Sequence, residues 1–405
     1  MMPATQTAAG PTLVEFAAPS RRLLSIDVFR GLLVMGMVLV TNAGSWSYVY
    51  WPLKHADWNG VTPTDMIFPS FLFLTGLSMT YSFAARSRRG QTRGQLALHI
   101  TERSVFLILL GLFLNGFPIF DWHNLRIPGI LQRIGLCYLL VGLLYIFTGR
   151  SGVTGGRRLR SNVLAAGAAI PALLLLYWAL MCLVPVPGCG VGHLDMTGNV
   201  GAYIDRTLMH TNHLWFWGGQ TWDPEGLLST VPAAANMLLG VLAGEWLRSA
   251  RPASRKLLGL AVAGAVLISA GLLLNPVIPI NKKIWTPSFM LFSGGFSLLA
   301  VTLLHWLIDA REGMRGWRIA LLPALVFGSN AIFGFTVAQM LNPLFGMVTL
   351  HDGSNTAVAF PIACFNLFSR FLNPWNASLA YAVLFVLLNL AILWPLYSKR
   401  IFIRL

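Results

Sequence analysis

The stretch RGLLVMGMVLVTNAGSWSYVYWPLKHADWNGVTPTDMIFPSFLFLTGLSMTYSFAARSRR (30–89) sets an apolar run, a polar and aromatic loop, a second apolar run and a cluster of arginines one after another. Each run approaches the roughly 20 residues that carry a helix across a hydrocarbon core of about 30 Å. The alternation continues outward to both ends of the chain. Apolar segments can be placed at 26–45, 64–85, 96–117, 128–148, 162–184, 226–248, 257–275, 287–309, 319–342 and 378–397. The pattern predicts an all-α polytopic membrane protein of about ten transmembrane helices.

Composition agrees with that expectation. Of the 405 residues 56% are hydrophobic and only 11% charged, whereas a soluble domain carries about a quarter charged residues. No stretch between the apolar runs is large enough to fold separately. Residues 23–405 therefore read as a single transmembrane domain behind a disordered cytoplasmic tail at 1–22. That tail has no positive segment followed by an apolar core, so it does not read as a cleaved signal peptide.

The net charge of +15 would suit nucleic acid only as a basic patch with interleaved aromatics. Instead it lies in short clusters between apolar runs, and no nucleic-acid partner is expected. With ten spans these clusters share one side: Arg21 and Arg22; Arg86 to Arg93; Arg150 to Arg160; Arg248 to Lys256; Arg311 to Arg318; and Lys399 to Arg404. The positive-inside rule then puts both termini in the cytoplasm. The other side carries scattered charges, among them Lys54, Arg126, Arg206 and the Lys282–Lys283 pair. Its connections are rich in tryptophan, which serves either as an interfacial anchor or as a platform for sugar rings. The four cysteines lack metal-ligand spacing. Cys182 and Cys189 read as unpaired, with a bond in an oxidising compartment as the alternative.

Ionisable groups within or beside spans are costly and mark candidate sites. Asp27 and Arg30 share one face of the first span and form either a local ion pair or a cytoplasmic mouth for an anionic ligand. His55 precedes Asp65 by ten residues across a Gly-containing turn, so an imidazole–carboxylate contact is feasible, the usual form of a general base. Asp65 also falls in the first turn of the second span, where capping is its alternative role. Gln132 and Arg133 lie just inside the fourth span, and the guanidinium there needs a partner or an anionic ligand. Asp223 and Glu225 either cap the sixth span or bind a polar acceptor. Asn330 is either a helix–helix hydrogen bond or a site residue. His210 and His213 read as loop residues, because no acidic or thiol partner stands at ligand spacing, and no metal is expected. No Walker loop, G-x-S-x-G or HExxH occurs, which removes support for ATPase, serine hydrolase and zincin chemistry.

RLLSIDVFRGLLVMGMVLVTN (22–42) and KHADWNGVTPTDMIFPSFLFLTG (54–76) resemble the start of the heparan-α-glucosaminide N-acetyltransferase family, whose bacterial relatives belong to a wider group of transmembrane acyltransferases. The likeness extends through RIPGILQRIG (126–135), DPEGLLST (223–230), PINKKIWTPSF (279–289), GSNAIFGF (328–335) and YSKRIFIRL (397–405). By that resemblance, His55 takes the place of the active-site histidine, Asn42 that of an asparagine ending the first span, and Asp65 that of an aspartate heading the second. The resemblance implies acetyl-CoA bound from the cytoplasm, an amino-sugar acceptor on the far side, and an inner-membrane location, and it leaves room for a homodimer. Some relatives carry a histidine after the asparagine of the ninth span, where this chain has Ala338 and Gln339, so the acceptor is open.

On this reading His55 is the base, Asp65 holds its tautomer, and the Asn42 amide is the expected oxyanion donor. The pantetheine arm of CoA, about 20 Å long, covers a usable fraction of the roughly 30 Å core. Asp27, Arg30, Gln132, Arg133 and Asn330 are the expected contacts to acetyl-CoA, and Trp58, Asn59, Asp223 and Glu225 those to the acceptor. An amino-sugar transporter is the rival reading, since a permease also needs a bundle with intramembrane polar residues; no inverted repeat supports it.

Overall fold

The computed structural model describes residues 23–151, 159–160, 162–310, 317–351 and 357–403. The expected tail at 1–22 and several cationic positions used for the orientation (Arg157, Arg158, Arg311, Arg315 and Arg404) lie outside them. The principal helices are α1 Leu24–Val40, α2 Ile67–Arg88, α3 Arg93–Gly116, α4 Ile130–Thr148, α5 Val163–Leu183, α6 Val200–Met209, α7 Thr230–Arg248, α8 Ala253–Leu274, α9 Pro287–Leu304, α10 Leu322–Ser329, α11 Ala331–Met347, α12 Phe360–Phe368 and α13 Pro374–Ser398.

Among the described residues, eight helical stretches are long and apolar enough to cross a membrane. The pair α10–α11, bent by 89°, makes a ninth if it counts as one span. Helix α1 has 17 residues; at 1.5 Å per residue that is roughly 25 Å, just short of the hydrocarbon thickness. Each of the ten apolar segments thus corresponds to a helix or a broken pair, and the chain is a multi-pass helical membrane protein.

Two segments differ from expectation. The first stops at Val40, short of residue 45, because Thr41 and Asn42 turn their side chains back onto the last carbonyls. Thr41 Oγ1 donates to Met37 O at 2.8 Å and Asn42 Nδ2 to Val38 O at 2.7 Å, so the end of α1 closes on itself. The ninth breaks at Asn330, whose amide ties down the C-terminal segment: Nδ2 donates to Ile401 O at 3.0 Å and Oδ1 accepts from Ile403 N at 2.8 Å.

Helices α2 and α7 are the most enclosed, and they meet through glycine. A Cβ on Gly76 would stand 1.9 Å from Met237 O, and one on Gly240 1.9 Å from Phe73 O. Only hydrogen fits at these crossings, the small-residue packing by which membrane helices approach without a hydrophobic driving force between them. Around this pair, α5 and α8 turn Leu164, Leu175, Leu183, Leu258, Val262 and Leu273 outward, an apolar surface suited to lipid.

The loops at one end of the bundle are stitched together. Gly60 N donates to Ile280 O at 2.7 Å, Ile127 N to His213 O at 3.0 Å, and Trp58 Nε1 to Leu194 O at 2.9 Å. At the start of α1, by contrast, the free N–H groups of Leu24 and Ser25 are capped by the Asp309 carboxylate at 3.1 and 3.3 Å.

Candidate active site

The loop preceding α2 is folded around one carboxylate. Thr62, extended at φ −118° and ψ 166°, leads into a single turn of tight helix over Pro63–Met66, where the fixed φ of Pro63 suits the first position. That turn brings Asp65 back over its own loop, fully buried. Its Oδ2 accepts from Ala56 N at 3.1 Å and Thr62 N at 3.0 Å, while Oδ1 stands 2.7 Å from His55 Nδ1. The two roles considered for Asp65 are therefore both filled, one by each oxygen: it closes the helix start in the manner of a capping box and holds the imidazole.

His55 keeps 41% of its side chain exposed, so the ring is reachable from solvent. With Nδ1–H directed at Asp65, Nε2 carries the lone pair that a base needs.

A third group completes the arrangement from a distant part of the chain. Lys282 Nζ lies 3.0 Å from His55 Nδ1, 3.4 Å from Nε2 and 3.5 Å from Asp65 Oδ1. The turn that carries it is held by side chains: Asn281 Oδ1 accepts from Ile284 N at 3.1 Å, Asn281 N donates to Thr286 Oγ1 at 3.0 Å, and Asn281 Nδ2 donates to Asn59 Oδ1 at 3.1 Å. Trp285 closes the turn in the left-handed region at φ 54°, which a bulky residue adopts only when its surroundings enforce it. Here its ring is wholly buried and Nε1 donates to Asn236 Oδ1 at 2.9 Å. Burial lowers the pKa of His55 below its usual value and the cation of Lys282 lowers it further, against the raising effect of Asp65. Burial likewise lowers Lys282 and Lys283.

The remaining expected residues divide into neighbours of this site and residues engaged elsewhere. Asn42 is buried at the end of α1, and its amide hydrogens face Val38 O and Thr41 Oγ1, leaving Oδ1 without a partner among the described residues. The oxyanion role expected of it needs a donor that this conformation does not offer. Trp58 meets Trp222 edge-on at 5.1 Å beside the site. Asp223 and Glu225 are drawn together by Arg126, which donates to Asp223 at 2.9 and 2.7 Å and to Glu225 at 2.6 Å. Burial disfavours a charged Glu225, but Arg126, Arg133 and Lys282 together outweigh it and hold the carboxyl below its usual range. Both acids are thus engaged by a cation of the protein rather than presented to an acceptor.

Arg133 is buried, donates to Gly226 O at 2.9 Å and to the Ser229 hydroxyl, and lies 5.2 Å from the Trp285 ring. Its Nε and Nη1 have no hydrogen-bond partner among the described residues. Gln132 donates to Ile127 O at 3.1 Å, which shapes the start of α4. Asp27 and Arg30 form the local ion pair at 2.9 Å, and Arg30 also donates to Ser78 Oγ at 2.9 Å. His213 Nδ1 lies 2.7 Å from Leu125 O, a loop contact, and all four cysteines are free.

Sequence comparison bears on the same loop. Residues 22–187 match the sequence model of the family described as heparan-alpha-glucosaminide N-acetyltransferase, catalytic. By sequence, the chain is similar to the heparan-α-glucosaminide N-acetyltransferases. The mouse enzyme of that name is 29% identical over 366 residues, covering 80% of this chain and 54% of the mouse protein. The human enzyme is 29% identical over 343 residues, covering 74% and 51%. The chain thus spans about half the length of these relatives. Asn42, His55 and Asp65 all fall within the matched catalytic region, whereas Lys282 lies beyond it.

Sequence reasoning missed Lys282, reading it as one of the scattered charges on the outer side. The available signal was its location: two adjacent lysines on the side that the positive-inside pattern keeps poor in cations.

Proposed function

We propose that this chain is a transmembrane acetyltransferase. It passes acetyl from acetyl-CoA, held from the cytoplasmic side, to the amine of a glucosamine-type sugar on the opposite face of an inner membrane. The observation that carries this reading is His55 fixed at 2.7 Å by a buried carboxylate, inside the region that matches the family's catalytic model.

Only a neutral amine attacks a thioester, and its nitrogen, once bonded to carbon, carries a proton that must be removed. Nε2 of His55 takes that proton as the new N–C bond forms, and Asp65 steadies the imidazolium that results. Burial and the neighbouring lysines favour the neutral ring, the form in which Nε2 can accept a proton. Direct transfer in a ternary complex is the preferred route, because it avoids a hydrolysable acyl-imidazole.

The length of the fold suits a donor entering from the far side. Arg30 and Asn42 are twelve residues apart on or just past α1, which is roughly 18 Å of helix at 1.5 Å per residue. The pantetheine arm is of comparable length, so the CoA phosphates rest near the arginine-rich end while the thioester reaches the loop end. Trp58 and Asn59 at the rim then face the acceptor.

The reading is tested by purified protein in nanodiscs with labelled acetyl-CoA and a panel of amines headed by glucosamine. Acetyl-glucosamine should form with the parent and not with His55→Ala. Stoichiometric label on His55 in the absence of acceptor would replace direct transfer by a covalent route. The permease reading draws on the broken span at Asn330, since transporters line their sites with such breaks. Here the amide at the break is engaged by the C-terminal segment.

A further inference from the structure

We propose that Lys282 is a catalytic residue of this site, its ammonium donating a hydrogen bond to the thioester carbonyl oxygen as that oxygen gains charge. The inference rests on the reading of His55 as the base and adds the partner which that reading lacks.

Three observations carry it. First, the amide expected to serve as oxyanion donor is turned away, with both Asn42 hydrogens directed at α1 and Thr41. Second, the ammonium lies where a donor is needed, 3.0 and 3.4 Å from the two nitrogens of the base. Third, its donors are poorly used. His55 Nδ1 directs its hydrogen at Asp65, and Asp65 Oδ2 is occupied by two backbone N–H groups. The remaining Lys282–Asp65 contact is 3.5 Å, beyond a good hydrogen bond. A largely enclosed ammonium, 12% exposed, whose contacts to Nε2 of the base and to the carboxylate are long, at 3.4 and 3.5 Å, is poised for an oxygen that becomes anionic.

The step balances. The amine nitrogen adds to the carbonyl carbon, the C=O π pair moves to oxygen, and Lys282 N–H holds that oxygen. His55 Nε2 takes the ammonium proton from the adduct. Collapse re-forms C=O and breaks C–S, and His55 returns the proton to the CoA thiolate, giving amide and thiol with the histidine neutral again.

The same ammonium also acts on the base before reaction. Around His55, Asp65 faces it from the turn before α2, and Lys282 and Lys283 face it from the loop before α9; Glu225 and Asp57 act on those lysines. Removing Lys282 takes away a cation that favours the neutral ring.

The test uses the full chain in nanodiscs with acetyl-CoA and glucosamine, comparing Lys282→Met, Lys282→Arg and His55→Ala. Lys282→Met should lower kcat by about 10²–10³-fold, the scale of losing one oxyanion donor, with KM for both substrates little changed. The acidic limb of its kcat/KM profile should move to higher pH, and Lys282→Arg should recover part of the rate. A Lys282→Met rate within about threefold of the parent, beside an inactive His55→Ala, would overturn this inference and leave the base intact. A slow Lys282→Met whose pH limb stays put while its melting temperature falls would also overturn it, assigning the residue to folding. Parent-like activity in His55→Ala would overturn the underlying reading and this inference with it.

Discussion

Asp65→Asn changes one atom type at the centre of the site, and the geometry dictates how the amide must sit. Two backbone N–H groups, Ala56 at 3.1 Å and Thr62 at 3.0 Å, point at the position of Oδ2. An amide NH2 cannot accept from them, so the asparagine oxygen has to occupy that position. Its NH2 then faces His55 Nδ1, 2.7 Å away in the parent, and Nδ1 must become the acceptor. The ring proton moves to Nε2, the atom that is to serve as base. The variant keeps the backbone contacts of the loop but presents the wrong tautomer, and it also loses the 3.5 Å contact of Lys282 and the carboxylate charge that steadies the imidazolium. Where this change has been made in a histidine–aspartate pair of a serine protease, kcat fell about 10⁴-fold; a loss of about 10³–10⁴-fold is expected here on the same logic. Single-turnover acetyl transfer to glucosamine by protein in nanodiscs measures it, with acetyl-CoA affinity and melting temperature recorded on the same samples. A folded Asp65→Asn enzyme that keeps more than about a tenth of the parent rate would refute the claim that Asp65 fixes the tautomer.

Other consequences concern the scaffold. Arg126→Met strands Asp223 and Glu225 against each other, and breaking a buried pair in this way costs about 3–5 kcal/mol; the melting temperature should fall sharply and be partly restored by adding Asp223→Asn and Glu225→Gln. Gly240→Leu forces side-chain atoms into the Phe73 carbonyl, so the α2–α7 crossing opens and the purified protein should aggregate or melt many degrees lower. Asp205 is pushed up to about 7 by burial. A carboxyl that holds its proton more tightly when folded opposes folding as pH rises from about 4 through 7. Asp205→Asn should therefore raise the melting temperature relative to the parent more at pH 8 than at pH 5.

The spans were legible because lipid imposes a length and an apolar composition that any window detects, and α2 to α5 follow those windows closely. The end of α1 was not, because Thr41 and Asn42 stop it by side-chain bonds to their own helix, a local competition that hydropathy ignores. Nor was the 89° break at Asn330, whose sequence GSNAIF carries no proline at the break and whose side-chain partners lie seventy residues away in the C-terminal segment. Within the site, His55 and Asp65 were readable because ten residues and one turn separate them. Lys282 was hidden by 227 residues of separation. The acids of DPEG were visible as polar, but not that Arg126 would engage both.

The claim at the centre of this account is transfer across the membrane through His55. Sealed proteoliposomes with the protein in a determined orientation, acetyl-CoA confined to the side of the arginine clusters and glucosamine to the other, test it most directly. The account predicts acetyl-glucosamine only on the glucosamine side, with CoA retained on its own side, and no product with His55→Ala. Product that forms only when both substrates share one side, or that forms equally with His55→Ala, would contradict it.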